Sequence, residues 1–145
     1  MKHSLLFIVL STPLLAAPYK VEDIKFPANV PPEVGGIDFA PDGTLFAVLR
    51  RGDVMRARPT ADPTQWKWEL FATGFHNGCG IDAVSRDKVR VTQMADFTEA
   101  TDTDNDGIAD QYRIFAAGWG LSGNYHETNT IAEDGKGGYL SLIHI

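Results

Sequence analysis

The chain has 145 residues and a mass of 15.9 kDa, with 13 Lys and Arg against 19 Asp and Glu for a formal net charge of −6. That length points to one domain, and 43% hydrophobic with 22% charged residues is a globular balance that excludes wholesale disorder. The acidic balance and the lack of a basic run exclude nucleic acid as a partner, and a single cysteine excludes a disulfide scaffold or a zinc ribbon.

Residues 1–16 read as a secretory signal peptide. Lys2 supplies the positive start, residues 5–10 are apolar, and Ala16-Ala17 offers a small-residue cleavage site. Ser11, Thr12 and Pro13 interrupt the apolar run, which falls short of the roughly 20 residues of a membrane span. An uncleaved anchor helix is therefore the weaker reading. The expected location is outside the cytoplasm, periplasmic or at the extracellular cell surface.

From there the chain repeats itself. Gly36-Ile37-Asp38 returns as Gly80-Ile81-Asp82, 44 residues on, and Phe71-Ala72-Thr73-Gly74-Phe75 returns at the same spacing as Phe115-Ala116-Ala117-Gly118-Trp119. In the first unit, strands are expected over 36–39, 44–49, 54–57 and 66–71. Turns at Pro41-Asp42-Gly43 and Arg51-Gly52-Asp53 separate the first three. The second unit shows three clear strands, over 80–84, 88–93 and 111–115. A third copy is marked by Ile131-Ala132-Glu133-Asp134-Gly135, which echoes Phe39-Ala40-Pro41-Asp42-Gly43.

About four strands in every 40–50 residues is the blade of a β-propeller. The fold expected is all-β: a partial propeller over 17–139, with blade units at 34–77 and 78–122 and a third starting near 125. A small closed β-sandwich is the plainer alternative. Two to three blades leave sheet edges and faces open, so such a fragment is expected to be poorly soluble. Residues 140–145, Leu-Ser-Leu-Ile-His-Ile, read as the in-frame translation of a transposon-end adapter used in sequencing libraries, and His144 is set aside with them.

The sharpest chemical motif is Asp102-Thr103-Asp104-Asn105-Asp106-Gly107-Ile108-Ala109-Asp110. Carboxylates at alternate positions, a glycine at the sixth and an acid at the ninth match a Ca²⁺-wrapping loop. The expected ligands are the side chains of Asp102, Asp104 and Asp106, the carbonyl of Ile108, and Asp110 directly or through water. Arg113 stands where an EF-hand carries its bidentate Glu, so a further donor has to come from elsewhere, with Glu99 a weak candidate. The competing reading is a solvated acidic turn. If calcium binds, its role is structural, pinning a long loop.

His126, in the Gly-rich stretch 120–127, and His76 are candidate general bases, each weighed against an ordinary loop histidine. Trp119 is a candidate cofactor platform. Trp66 and Trp68, two residues apart, share a strand face and read as packing between blades. Arg50 and Arg51 read as solvated rather than anion-binding. Cys79 is either buried or paired outside the chain.

The stretches PPEVGGIDFAPDGTLFAVLRRGDV, WKWELFATGFHNGCGI and TDTDNDGIADQYRIFAAGWGLSGNYHE resemble the N-terminal propeller of secreted planctomycete-type membrane-bound or PQQ-dependent sugar dehydrogenase-like proteins, related to the glucose/sorbosone dehydrogenases. The resemblance covers roughly residues 20–139. It implies a six-bladed propeller in the whole protein and oxidation of a sugar or alcohol with hydride transfer to a quinone (PQQ). It also implies a calcium ion near the quinone, a histidine base, and often a c-type cytochrome domain further on. In the broader group the base stands in a His-x-Gly-Gly-Arg stretch, whereas His126 here precedes Glu127-Thr128-Asn129-Thr130. On this reading the 145-residue chain is by itself inactive, because such a cofactor pocket is assembled from several blades. The alternative is a non-catalytic propeller that binds glycans or partner proteins at the cell surface.

Overall fold

The computed structural model describes residues 19–94, 96–119 and 128–143. The expected signal peptide, the Gly-rich stretch with His126, and His144 lie outside these residues. Among the described residues ten strands make three antiparallel sheets and the one helical turn is a 3-10 turn at Pro63–Gln65; the protein is all-β.

The first sheet is a simple meander of β1 (Val34–Phe39), β2 (Leu45–Leu49), β3 (Val54–Ala57) and β4 (Trp68–Ala72). The second repeats it with β5 (Gly80–Ser85), β6 (Lys88–Thr92), β7 (Asp96–Thr101) and β8 (Gln111–Ala117). A hairpin of β9 (Thr128–Glu133) and β10 (Tyr139–Ile143) forms the third. The described sheets form no closed ring. β10 runs into the residues read as adapter-derived, pairing Leu140 with Ala132 and Ser141 with Ile131.

Two of the short turns that join strands carry an aspartate at the head. In the β1–β2 turn Asp42 accepts the amide of Thr44 at 3.0 Å. In the β9–β10 turn Asp134 does the same for Lys136 at 2.7 Å and Gly138 at 2.9 Å. This is the Asx-turn geometry that competes successfully with a continued strand, and it explains why the two sequences echo each other.

The sheets stack in chain order. β5 lies against β1 and β2 of the sheet before it, and β9 lies against β5 and β6. Strand alternation sends Val89 and Val91 of β6 to the first sheet and Lys88, Arg90 and Thr92 to the opposite face. The shared core joins Phe46, Val48, Val54 and Phe71 of the first sheet to Ile81, Ala83, Val89, Val91 and Ala100 of the second. Phe46 and Phe71 are fully buried and meet edge-to-face at 5.2 Å, a favoured aromatic geometry.

Near the start of the first and second sheets the backbones come too close for any side chain. A Cβ on Gly35 would stand 1.9 Å from the carbonyl oxygen of Gly78. A side-chain hydrogen bond from the next sheet lies nearby: the amide of Ala83 in β5 donates to Asp38 of β1 at 2.8 Å.

The tryptophan pair departs from expectation. Trp66 precedes β4, and its indole donates to Thr60 O at 3.1 Å. Trp68 stacks on Phe26 of the N-terminal segment with centroids 4.3 Å apart. Glu69, not Trp68, takes the face turned toward the second sheet, so Trp68 packs against the N-terminal segment, with the Trp66 ring 6.4 Å from its own, and not against the second sheet. β7 is the strand of the second unit to which the sequence reading gave no range.

Candidate metal centre

The acidic motif forms the connection from β7 to β8. Asp102 opens it and is only 5% exposed. Its two carboxylate oxygens accept the amides of Asn105 at 2.8 Å and Gly107 at 2.9 Å. Asp104 accepts the amide of Asp106 at 3.2 Å, and Asp106 that of Ile108 at 2.8 Å. Each aspartate thus folds the chain back over itself. Asn105 and Gly107 supply the positive φ values, 63° and 102°, that such a tight coil demands.

The result is convergence. One carboxylate oxygen from each of Asp102, Asp104 and Asp106 lies within 4.8 Å of the other two. Ligands about 2.4 Å from a common calcium ion stand no more than about 4.8 Å apart, so the three oxygens fit one ion of that size. Each carboxylate oxygen has more than one acceptor site, so the amide bonds leave capacity for a cation. Three carboxylates so close repel one another, and a hard divalent cation is the chemistry that relieves this.

Asp110 stands apart from the trio. Its oxygens accept the Thr103 amide at 2.9 Å and the Thr103 hydroxyl at 2.6 Å. These two bonds, hydroxyl first, hold its carboxyl below the ordinary carboxylate value. Asp110 therefore closes the loop at its base, and its own amide donates to Thr101 O at 3.0 Å. Ile108 is half exposed and places its amide on Asp106.

The loop reaches beyond its own sheet. The amide of Ala109 donates to the carbonyl of Phe71 in β4 at 2.7 Å, and Ala109 is part of the core. A Cβ on Gly107 would stand 2.9 Å from Nη2 of Arg56 in β3. Just past the loop, the Tyr112 hydroxyl accepts the amide of Thr73 at 3.2 Å, and its ring lies 5.9 Å from that of Phe75. The acidic loop is thus a bridge between the first and second sheets.

Glu99, the weaker candidate ligand, has other partners. It is 5% exposed and sits in a row running straight across the second sheet: Asp82, Arg90, Glu99 and Arg113 are successive cross-strand neighbours. Glu99 accepts from Arg90 Nε and Arg113 Nη2, each at 2.9 Å, and faces Lys88 at 3.5 Å. Burial pushes its carboxyl up, but the hydrogen bonds from Arg90 and Arg113 outweigh this and the net shift is downward. Arg90 also contacts the Tyr139 hydroxyl and lies 4.6 Å over the Phe115 ring. The equivalent row of the first sheet reads Asp38, Phe46, Arg56 and Glu69, so its last pair is the reverse of Glu99 and Arg113.

The remaining candidates are dispersed. His76 is exposed on the β4–β5 connection. Its backbone is tied down, with the amide donating to Gln93 Oε1 at 2.7 Å and the carbonyl accepting from Met94 at 3.1 Å. Trp119 holds by repetition the place of Phe75, a core residue. Its buried indole N–H has no partner among the described residues. Cys79 is buried, and its thiol donates to Asn77 O at 3.2 Å. The side chains of Arg50 and Arg51 are exposed.

The sequence reading missed the bond from Ala109 to Phe71 and the charged row. The row carries a usable signal, since Glu69 and Arg113 share the 44-residue spacing of the repeat. No family model, curated protein or solved structure matches the chain.

Proposed function

We propose that the chain is the amino-terminal part of an exported β-propeller, in which Ca²⁺ held by Asp102, Asp104 and Asp106 fastens the second four-stranded unit to the first. The observation that carries this reading is the convergence of the three carboxylates on a loop whose Ala109 amide is bonded to the neighbouring sheet. Cation binding at that place stiffens a joint between sheets, which is a structural and not a catalytic role. Two successive four-stranded meanders on one 44-residue spacing, with β1, β5 and β9 as neighbours, support the propeller.

For the whole protein we propose oxidation of a sugar or alcohol with electrons passed to a quinone. That activity rests on the family resemblance alone, with His126 as the base.

The calcium reading is tested by melting the chelator-treated protein with and without CaCl₂. A protein with calcium at about 100 times its dissociation constant gains about 2.7 kcal/mol, which for a chain of this size is a rise of roughly 10 °C. Asp104→Asn should abolish the rise. An unchanged melting curve would identify the loop as a solvated acidic turn. The activity is tested separately, by dye reduction with aldoses on the whole protein, with and without PQQ. Turnover indifferent to PQQ, or none at all, would turn the reading to the non-catalytic surface propeller.

A further inference from the structure

The net charge of −6 hides one strongly basic place. A cavity of about 520 Å³ opens where β3 and β4 of the first sheet approach the β5–β6 turn. Arg56, Arg58, Lys67 and Arg86 line it, with Glu69 as the one carboxylate among the described lining residues. Strand pairing begins the cluster. Arg56 of β3 pairs with Glu69 of β4 in register, Arg58 follows β3 directly and Lys67 directly precedes β4. All four line the one cavity, and the turn of the second sheet brings Arg86 to meet them.

These cations are weakly answered. Arg56 is 7% exposed, yet among the described residues its five N–H donors make one hydrogen bond, to Arg86 O at 3.3 Å, and one long ion pair, 3.6 Å to the exposed Glu69. Arg86 reaches Asp87 only at 3.9 Å, and Arg58 pairs with Asp42 outside the cavity at 3.0 Å. The Lys67 ammonium has no partner among the described residues. Arg58 is thus answered by Asp42, and the Arg56 guanidinium also lies 5.3 Å over the Phe71 ring; the cavity keeps an excess of cations over the one carboxylate in its lining, which leaves a positive field there, and a buried guanidinium is stable only when its donors are satisfied.

We propose that this cavity binds a doubly charged tetrahedral oxyanion, a phosphate or sulfate group, with Arg56 at its floor and Arg58, Lys67 and Arg86 around it. Guanidinium forks match the paired oxygens of such an anion. The cavity is larger than the bare ion and of a size that takes small molecules, so the group is accommodated either free or as a monoester on a small molecule. The site adjoins the aspartate loop, since a Cβ on Gly107 would stand 2.9 Å from Arg56 Nη2, but it has the opposite ligand preference.

The test is equilibrium dialysis of the full chain against labelled inorganic phosphate at constant ionic strength. One equivalent should bind, displaced by sulfate and by glucose 6-phosphate but not by chloride. Lys67→Glu, a change at an exposed residue, should weaken binding about tenfold or more, while Lys136→Glu, with the same change of charge in the β9–β10 turn, should leave it intact. Displacement by glucose 6-phosphate at far lower concentration than by free phosphate would identify an esterified group as the ligand; the opposite order would identify the free anion. Absence of bound phosphate, displacement by chloride as effective as by sulfate, or equal losses in the two variants would overturn the proposal. Circular dichroism of Lys67→Glu separates lost binding from lost folding.

Discussion

The amide of Ala109 donates to the carbonyl of Phe71 at 2.7 Å, and that bond runs from the end of the acidic loop in the second sheet to the last strand of the first. Phe71 is fully buried, and Ala109 is buried beside it. The same few residues therefore coil around the carboxylate trio and anchor the joint between sheets. Whatever tightens the coil also tightens the joint.

The aspartates of the loop should separate into two kinds. Asp102 is buried and accepts two backbone amides, so Asp102→Ala should destabilise the protein by about 1–3 kcal/mol even without calcium, the loss of two hydrogen bonds at about 0.5–1.5 kcal/mol each. Asp106 is exposed and accepts one amide. Asp106→Asn keeps an oxygen acceptor and should change the calcium-free stability by under about 0.5 kcal/mol while removing the calcium response. Denaturant unfolding with and without calcium distinguishes the two.

Gly35→Ala should be severe. The added methyl would meet the Gly78 carbonyl oxygen at 1.9 Å, and a backbone atom cannot rotate away as a side chain can. A cost of about 3 kcal/mol or more is expected from forced overpacking. The check is a fall in melting temperature with loss of protection at the β1 and β5 amides in hydrogen exchange.

The charged row of the second sheet should give an acid-sensitive contribution to stability. Burial raises the Glu99 carboxyl pKa, and the bonds from Arg90 and Arg113 bring it below its ordinary value of about 4.5. A depressed folded-state pKa contributes stability above the unfolded value, and that contribution is lost as pH falls through the folded value. Glu99→Gln should therefore cost roughly 2–4 kcal/mol at neutral pH. Its difference from the parent should shrink as pH drops below about 4.5. Unfolding curves measured across that range check both the size and the sign.

Tyr112→Phe removes the acceptor of the Thr73 amide while keeping the ring beside Phe75. Because the Thr73 amide is at an exposed position, water replaces the hydroxyl, and a loss of about 0.5–1.5 kcal/mol is expected. Hydrogen exchange at Thr73 should accelerate, with the core amides of β2 unaffected.

Much of the fold was legible because the repeat is written twice. Gly36-Ile37-Asp38 and Gly80-Ile81-Asp82 mark β1 and β5, and the turns at Asp42 and Asp134 are marked by residues that bond their own backbone. β7 escaped because Asp96-Phe97-Thr98-Glu99-Ala100-Thr101 carries two acids and little β-branched apolar surface. Its burial comes from pairing on both edges and from the arginines facing Glu99, which single-strand propensity does not register. The aspartate spacing of the metal loop was legible as a motif. Its attachment to Phe71 was not, since a contact across 38 positions of chain leaves no local pattern. The basic cavity was hidden for the same reason: Arg86 comes from another sheet, and only the stacking brings it to Lys67.

The reversal of charge between the two rows bears on how the units recognise one another. The first sheet offers Arg56 ahead of Glu69, whereas the second offers Glu99 ahead of Arg113. Sheets with one backbone plan and identical faces would stack in any order, and a growing chain could mate the wrong pair or exchange a unit with a neighbouring molecule. Opposite polarity gives each joint its own address. A second sheet set where the first belongs would bring Glu99, an acceptor, to the place from which Arg56 donates to the Arg86 carbonyl, and that bond between sheets would be lost.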